Sequence, residues 1–112
     1  MKNMKRLLIV FVFAAFAFGQ GRTVLMTWQD TENPAGTIYT IYRANGSCSI
    51  TPAYSTIASN VAVRTYTDTG VSPGKYCYTV TANYGGEESV YADAAVAQVR
   101  PFKATAFTVV VQ

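Results

Sequence analysis

The chain of 112 residues has no histidine, and charged residues make up only 13% of it. Without histidine, the usual Ser/His and Cys/His nucleophile pairs cannot form, and a zinc site would lack its nitrogen ligand. The six carboxylates fall mostly in segments that we predict to be turns, where Asp and Glu cap and solvate the backbone. The acidic pairs Asp30 with Glu32 and Glu87 with Glu88 do not make a complete calcium-binding loop. These absences predict that the protein is not an enzyme and has no metal or other cofactor.

Long hydrophobic runs are also missing. The longest apolar stretch, Leu7–Phe18, is short for a membrane span of ~20 residues. It follows a basic head, residues 1–6, and ends in small residues, which is typical of a secretory signal peptide. We predict that residues 1–19 are such a signal, cleaved after Ala17 or Gly19. An uncleaved anchor and a core strand are the alternatives. The signal predicts a secreted protein, extracellular or at the cell surface, with no integral membrane segment after cleavage.

The excess of basic charge belongs to that N-terminal segment. The whole chain has nine Lys and Arg against six Asp and Glu, a net charge of +3. Three of the basic residues precede the apolar stretch, so the mature chain carries six charges of each sign and no net charge. A chain without a basic patch gives no support for nucleic-acid binding. A neutral surface rich in Thr and Tyr also associates readily.

Cysteine is scarce, because only Cys48 and Cys77 occur. In an exported protein, two such cysteines pair by default. A bond between positions 29 residues apart would stabilise the fold by about 3–4 kcal/mol in the chain-entropy model. Two sulfurs without histidine are too few ligands for a metal. We therefore predict a structural disulfide between them.

The most regular pattern is the stretch Gly74–Ala82. Its residues Tyr76, Tyr78 and Val80 would share one face of an extended strand, because side chains alternate between the two faces. Residues of these types favour pleated surfaces. The turn-forming run Ser72-Pro73-Gly74 gives the strand a defined start. The stretch is predicted to be a central strand with one face against a core.

Amphipathic helical repeats of useful length are absent after residue 19. Short alternating segments with turn residues about every 8–12 positions predict further strands; these segments are residues 23–28, 37–43, 52–59, 61–67 and 89–99. In the last of them Val96 is the predicted core residue, and residues 68–74 are predicted to be the turn before the central strand. The whole pattern is typical of an all-β sandwich.

The order and spacing of these motifs resemble the fibronectin type III domain, in the form carried by many short secreted bacterial proteins. The resemblance covers roughly residues 22–101 and implies an immunoglobulin-like antiparallel β-sandwich of about seven strands, with residues 20–101 as the domain. Its motifs are Val24-Leu25-Met26-Thr27-Trp28 (strand B), Tyr39-Thr40-Ile41-Tyr42-Arg43 (strand C), Tyr66-Thr67-Asp68-Thr69-Gly70-Val71 (before strand F), Pro73 to Ala82 (strand F), and Glu88-Ser89 with Val96 (strand G).

The resemblance also implies roles for single residues. The core signature would comprise Trp28, Tyr39, Tyr76, Tyr78 and Val80. Trp28 would lie between the sheets, and Tyr76 would be the tyrosine-corner residue, whose hydroxyl bonds back to the chain before strand F. Cys77 would point outward from strand F, so that its bond to Cys48 fastens the loop after strand C to that sheet. The Arg-Gly-Asp tripeptide of some animal members is absent, so integrin-type binding has no support.

The chain departs from the family at both ends. Almost nothing remains before strand B after cleavage, which leaves that strand an exposed edge with Leu25 on its outer face. Past Pro101, residues 102–112 are apolar, β-prone and almost uncharged, and such a segment aggregates if it stays unpaired. We predict that it forms a further strand, within its own sheet or on a neighbouring subunit's edge, through Phe102, Ala104, Phe107, Val109 and Val111. A frayed tail and a truncated longer protein are the alternatives.

Exposed aromatic residues offer the other candidate contacts. Tyr42, Tyr54 and Tyr84 are predicted contact residues, and Tyr84, beside Gly85-Gly86 at a hairpin tip, is the best single candidate. Tyrosine supplies contact area and a hydroxyl at low entropic cost, which suits protein and sugar surfaces. Packing on neighbouring strands is the simpler explanation for each of them.

Two functions are compatible with these features. The first is a secreted non-catalytic module for protein–protein interaction or structural assembly, self-assembling through its C-terminal strand into surface oligomers or filaments. The alternative is a small carbohydrate-binding module that uses its exposed tyrosines. An accessory region of a larger secreted enzyme is a third possibility. The fold class itself does not choose among them, because this architecture hosts many functions.

Overall fold

The computed structural model describes residues 9–15, 21–49, 51–104 and 108–111, and only the backbone of the first range. These residues form β-strands and no helix. The strands are β1 (Ile9–Ala15), β2 (Arg22–Gln29), β3 (Ile38–Asn45), β4 (Ser55–Val61), β5 (Thr65–Val71), β6 (Gly74–Tyr84), β7 (Glu87–Glu88) and β8 (Ala95–Val99).

The strands form two antiparallel sheets. The smaller sheet has the order β1-β2-β5, and the larger has the order β4-β3-β6-β7, with β8 also paired to β6. The central stretch of the sequence is β6, which is the longest strand and pairs along its length with β3. The predicted all-β, immunoglobulin-like antiparallel sandwich is confirmed.

The core lies between the two sheets, where alternate residues of β2 meet those of β3, β6 and β8. Its buried apolar side chains are Val24, Met26, Trp28, Tyr39, Ile41, Val71, Tyr78, Val80, Ala82, Ala92, Ala97 and Val99. The rings of Trp28 and Tyr39 pack edge to face with centroids 5.4 Å apart, an arrangement that aromatic quadrupoles favour. Tyr76 is half-buried beside this core, and its hydroxyl donates a hydrogen bond of 2.9 Å to the carbonyl of Ser72.

The disulfide between Cys48 and Cys77 is present, as predicted. Cys77 lies in β6 and is fully buried, while Cys48 lies in the turn that follows β3. The bond therefore fastens the β3–β4 connection to the middle of the larger sheet.

The prediction for Val96 is wrong. Val96 is 45% exposed, and its neighbours Ala97 and Val99 are buried instead. In the β6–β8 register Val96 lies opposite Cys77, and directly opposite residues share a face of the sheet. Cys77 alternates with the core-facing Tyr78 along β6, so Val96 points away from the core.

The predicted turn over residues 68–74 starts too early. Strand β5 continues to Val71, and Asp68 is a buried residue inside it. Its carboxylate accepts a hydrogen bond of 2.8 Å from the hydroxyl of Tyr78 and pairs with the Arg43 guanidinium at 2.7 Å. Because β5 belongs to one sheet and β3 and β6 to the other, this carboxylate joins the two sheets.

Part of the predicted signal peptide forms a strand. Ile9–Ala15 pairs antiparallel with β2, from Ile9 opposite Gln29 to Ala15 opposite Thr23, and it also lies against β8. This arrangement matches the core strand considered as an alternative to the signal. The rest of the segment, with both predicted cleavage sites, lies outside the described residues, and the signal peptide stays a prediction.

Candidate functional site

Three tyrosines meet on the outer face of the larger sheet, and we call them the tyrosine cluster. Tyr42 belongs to β3, Tyr54 precedes β4, and Tyr91 lies in the segment between β7 and β8. Their ring centroids are 4.8 Å apart for Tyr54 and Tyr91, 5.2 Å for Tyr42 and Tyr91, and 6.2 Å for Tyr42 and Tyr54. Tyr42 faces outward because it alternates with the buried Ile41.

Tyr91 belongs to the cluster because the segment between β7 and β8 runs beside β6. After β7 the chain stays beside β6: the Ser89 amide donates to the carbonyl of Ala82 and the Ala92 amide to that of Val80. The Thr79 hydroxyl donates a hydrogen bond of 2.8 Å to the carbonyl of Ala92. These bonds hold Tyr91 over the face on which Tyr42 lies.

A carboxylate borders the cluster. The hydroxyl of Tyr42 donates a hydrogen bond to Glu88, which also accepts one of 2.6 Å from the Thr81 hydroxyl. Burial raises the pKa of Tyr42, and the bond to Glu88 raises it further. Burial also raises the pKa of Tyr54, with a further contribution from Tyr91. Both hydroxyls therefore remain protonated and can donate hydrogen bonds at neutral pH.

A surface depression of about 270 Å³ adjoins the cluster; it is lined by Tyr42, Thr81, Glu88, Ser89, Val90 and Tyr91. It combines an aromatic wall with a carboxylate acceptor, a combination that can hold a polar ligand against a ring. The cluster also has a structural role, since the Tyr54 hydroxyl lies 3.4 Å from the sulfur of Cys77. It therefore covers the disulfide as well as bordering the depression.

The three predicted contact residues do not form a single site. Tyr42 and Tyr54 belong to the cluster, whereas Tyr84 lies at the β6–β7 turn, exposed and next to Gly36. The sequence pattern does not predict Tyr91 as a contact residue, because nothing in the alternation of residues 89–99 indicates that this segment folds beside Tyr42. The sequence offered one hint, the predicted partial exposure that Tyr91 shares with Tyr42, Tyr54 and Tyr84.

A larger depression, of about 510 Å³, lies beside the loop that follows β2. One of its lining groups, the Asp30 carboxylate, accepts hydrogen bonds from the side chain of Asn33 at 2.8 Å and from the Tyr39 hydroxyl at 2.9 Å. Burial would raise the pKa of Asp30, but these bonds outweigh it and lower that pKa. Burial and the same carboxylate raise the pKa of Tyr39 to about 12. The Asp30 carboxylate therefore stabilises the loop that follows β2.

The C-terminal segment leaves the domain beside the start of β2. The guanidinium of Arg22 donates hydrogen bonds to the carbonyls of Arg100 at 3.0 Å and Pro101 at 3.2 Å. The same group lies over the ring of Phe102, 4.1 Å from its centroid. These contacts fix where the tail begins.

Beyond that point the tail is exposed. Residues 101–104 and 108–111 belong to no strand of this chain, and Val109, Val110 and Val111 are 73%, 74% and 91% exposed. Ala104 is exposed as well, and Phe107 lies outside the described residues. Over the described positions, the predicted strand is therefore not formed within the chain's own sheets.

Solved structures that resemble this chain are mostly fibronectin type III domains. A Fn3-like protein from Clostridium thermocellum matches 88% of this chain and 95% of its own, with 28% identity and a TM-score of 0.63. The domain of human fibronectin type III domain containing protein 3 matches 94% of this chain and 96% of its own, with 11% identity and a TM-score of 0.62. The resemblance is thereby confirmed, and the chain folds as a fibronectin type III-like domain.

A β-1,2-glucanase from Parabacteroides distasonis contains a region of the same fold. It matches 91% of this chain but only 14% of its own, with 23% identity and a TM-score of 0.60. No family model and no curated protein sequence matches the chain. Within the described ranges, no helix is long and apolar enough to cross a membrane, and no three potential ligand side chains are grouped to hold a metal ion.

Proposed function

We propose that the protein is a secreted, non-catalytic β-sandwich module that assembles with copies of itself into oligomers or filaments at the cell surface. The C-terminal segment, residues 102–112, makes the contact. The exposure of the apolar residues Val109, Val110 and Val111 carries this proposal. Uncharged β-prone segments of this kind pair with another strand when one is available.

Where the structure describes the tail, the domain does not bury its apolar residues in the core. The described tail residues contribute nothing to the core cluster, which is closed by β8. The start of the tail is held by Arg22, which contacts the segment from Arg100 to Phe102. The exposed valines near the end of the tail are therefore available for a partner.

We expect the mature chain, residues 20–112, to form large species and its truncation at Pro101 to be a monomer. Light scattering during gel filtration measures both masses. A double substitution, Val109→Lys with Val111→Lys, is expected to have the same effect as truncation, because charges block edge-to-edge pairing. The control is Val63→Lys, which changes an exposed valine of the β4–β5 connection. Equal masses for the full and truncated chains would contradict the proposal.

Carbohydrate binding is the second candidate, and the tyrosine cluster with its depression supports it. The fold also occurs as a region within a β-1,2-glucanase. We expect any glycan-array signal to be lost on Tyr91→Ala, because this residue forms an exposed wall of the depression. Tyr84→Ala is the matched control, since Tyr84 is an exposed tyrosine outside the cluster. Equal loss for both variants, or no signal with the parent chain, would contradict this function.

A further inference from the structure

We propose that β1 occupies the edge of β2 only until the N-terminal segment is removed, and that the C-terminal segment of a second copy then takes its place, antiparallel to β2. This inference rests on the proposed function, because it requires export with cleavage and assembly through the tail. It identifies the surface that accepts the tail and the event that makes this surface available.

The edge of β2 that pairs with β1 holds one strand, and we call this position the slot. Strand β2 has β5 on one side and β1 on the other, and the β1 register runs from Ile9 opposite Gln29 to Ala15 opposite Thr23. Because β1 also lies against β8, it closes the gap between the edges of the two sheets. Its removal would leave the backbone groups of β2 on that side without ladder partners and would uncover the flank of the core.

The register between β1 and β2 defines the pattern of side chains that a strand in the slot needs. Val10, Val12 and Ala14 lie opposite Trp28, Met26 and Val24, which are the three buried residues of β2. An occupant therefore needs three apolar residues at every second position. The tail has this pattern at Phe107, Val109 and Val111, and its only charged residue is Lys103.

The direction in which the tail would run along β2 distinguishes insertion of a second copy's tail from insertion of the chain's own tail. The tail begins at the Arg22 end of β2, so its own insertion would run from that end towards Gln29, parallel to β2. The tail of another copy can enter from the Gln29 end and run antiparallel, as β1 does. Antiparallel pairing is somewhat more stable per residue, and the slot already has that geometry.

A contact of this kind has a consequence for assembly. The tail of one copy meets the β2 edge of the next, which is a head-to-tail interface between two different surfaces. Such interfaces propagate into open filaments unless the rotation closes a ring. The N-terminal segment thereby acts as an intramolecular block on assembly.

The direction and register can be tested by cross-linking. With Phe107, Val109 and Val111 opposite Trp28, Met26 and Val24, an antiparallel tail places Val110 directly opposite Leu25, within the ~4.5–5.5 Å Cβ separation of strand partners. Leu25→Cys with Val110→Cys in the chain 20–112 is therefore expected to give a ladder of covalent multimers on a non-reducing gel. A parallel insertion of the chain's own tail would instead place Thr108 opposite Leu25.

The control pairs decide the outcome. Leu25→Cys with Thr108→Cys is the matched pair for the parallel register, and Val63→Cys with Val110→Cys reports random collision at another exposed site. A ladder only for Leu25→Cys with Val110→Cys is the expected result. Cross-linked monomers with the Thr108→Cys pair, or equal ladders for all three pairs, would overturn the inference.

The blocking role of β1 needs its own measurement. A chain that begins at Ile9 and keeps residues 9–112 is expected to remain monomeric under conditions in which residues 20–112 assemble. If both assemble equally, β1 does not block the slot. If the chain 20–112 is itself a monomer, the proposed function fails. If it assembles without the expected ladder, only the strand exchange fails.

Discussion

Replacing Cys48 and Cys77 together by alanine is expected to lower the free energy of unfolding by about 3–4 kcal/mol. The bond closes a loop between positions separated by 29 residues, and in the chain-entropy model a loop of this length restricts the unfolded state by that amount. Alanine keeps the buried position of Cys77 apolar, whereas serine would bury a hydroxyl group there. The alanine variant therefore measures the loss of the cross-link.

Thermal unfolding followed by circular dichroism checks this expectation. A loss of 1 kcal/mol lowers the melting temperature of a domain of this size by about 4–8 °C, so a fall of more than about 12 °C is expected. Reductant should lower the melting temperature of the parent chain to that of the variant and leave the variant unchanged. A fall of only a few degrees would mean that the loop is held by the strands alone.

The second large effect is expected at Asp68. Asp68→Ala removes the acceptor of the Tyr78 hydroxyl and the partner of Arg43. Tyr78 is fully buried, and a buried donor without an acceptor costs about 1–3 kcal/mol. The Arg43 side chain is 34% exposed, so the ion pair adds only about 0.2–1 kcal/mol. Together these losses predict a destabilisation of about 1–4 kcal/mol.

A double-mutant cycle separates this network from a general loss of packing. Tyr78→Phe alone should cost about 1 kcal/mol, the usual net value of one hydrogen bond. In the Asp68→Ala background the same change should be neutral or stabilising, because it removes a buried hydroxyl that has lost its acceptor. Urea unfolding of the four proteins measures the coupling. Additive effects of the two substitutions would show that the carboxylate does not join the sheets through Tyr78.

Assembly and stability are predicted to depend on different parts of the chain. The disulfide and the Asp68 network lie within the sandwich, whereas the proposed contact uses the tail and one sheet edge. Variants that melt earlier but keep their assembled mass are therefore compatible with the proposed function. A change in both properties for Val109→Lys with Val111→Lys would instead indicate that the tail supports its own domain.

Local sequence was enough to predict the class of fold. Alternation along Gly74–Ala82 depends only on the geometry of an extended strand, and the turn at Ser72-Pro73-Gly74 depends on the backbone preferences of those residues. Pairing of Cys48 with Cys77 required no more than two cysteines in a chain that is predicted to be exported. Each of these features is decided within a few residues or by elimination, so no knowledge of distant contacts was needed.

Contacts between distant segments were decided by the tertiary structure. Val96 points outward because β8 takes its register from β6, and a shift of one residue reverses the face of every side chain in a strand. Tyr91 joins Tyr42 because the segment after β7 follows β6, and Asp68 meets Arg43 because two sheets pack face to face. Likewise, Ile9–Ala15 has the composition of a signal peptide and the register of a strand. Pattern and composition describe one segment at a time, whereas partner, register and facing surface depend on where the rest of the chain lies.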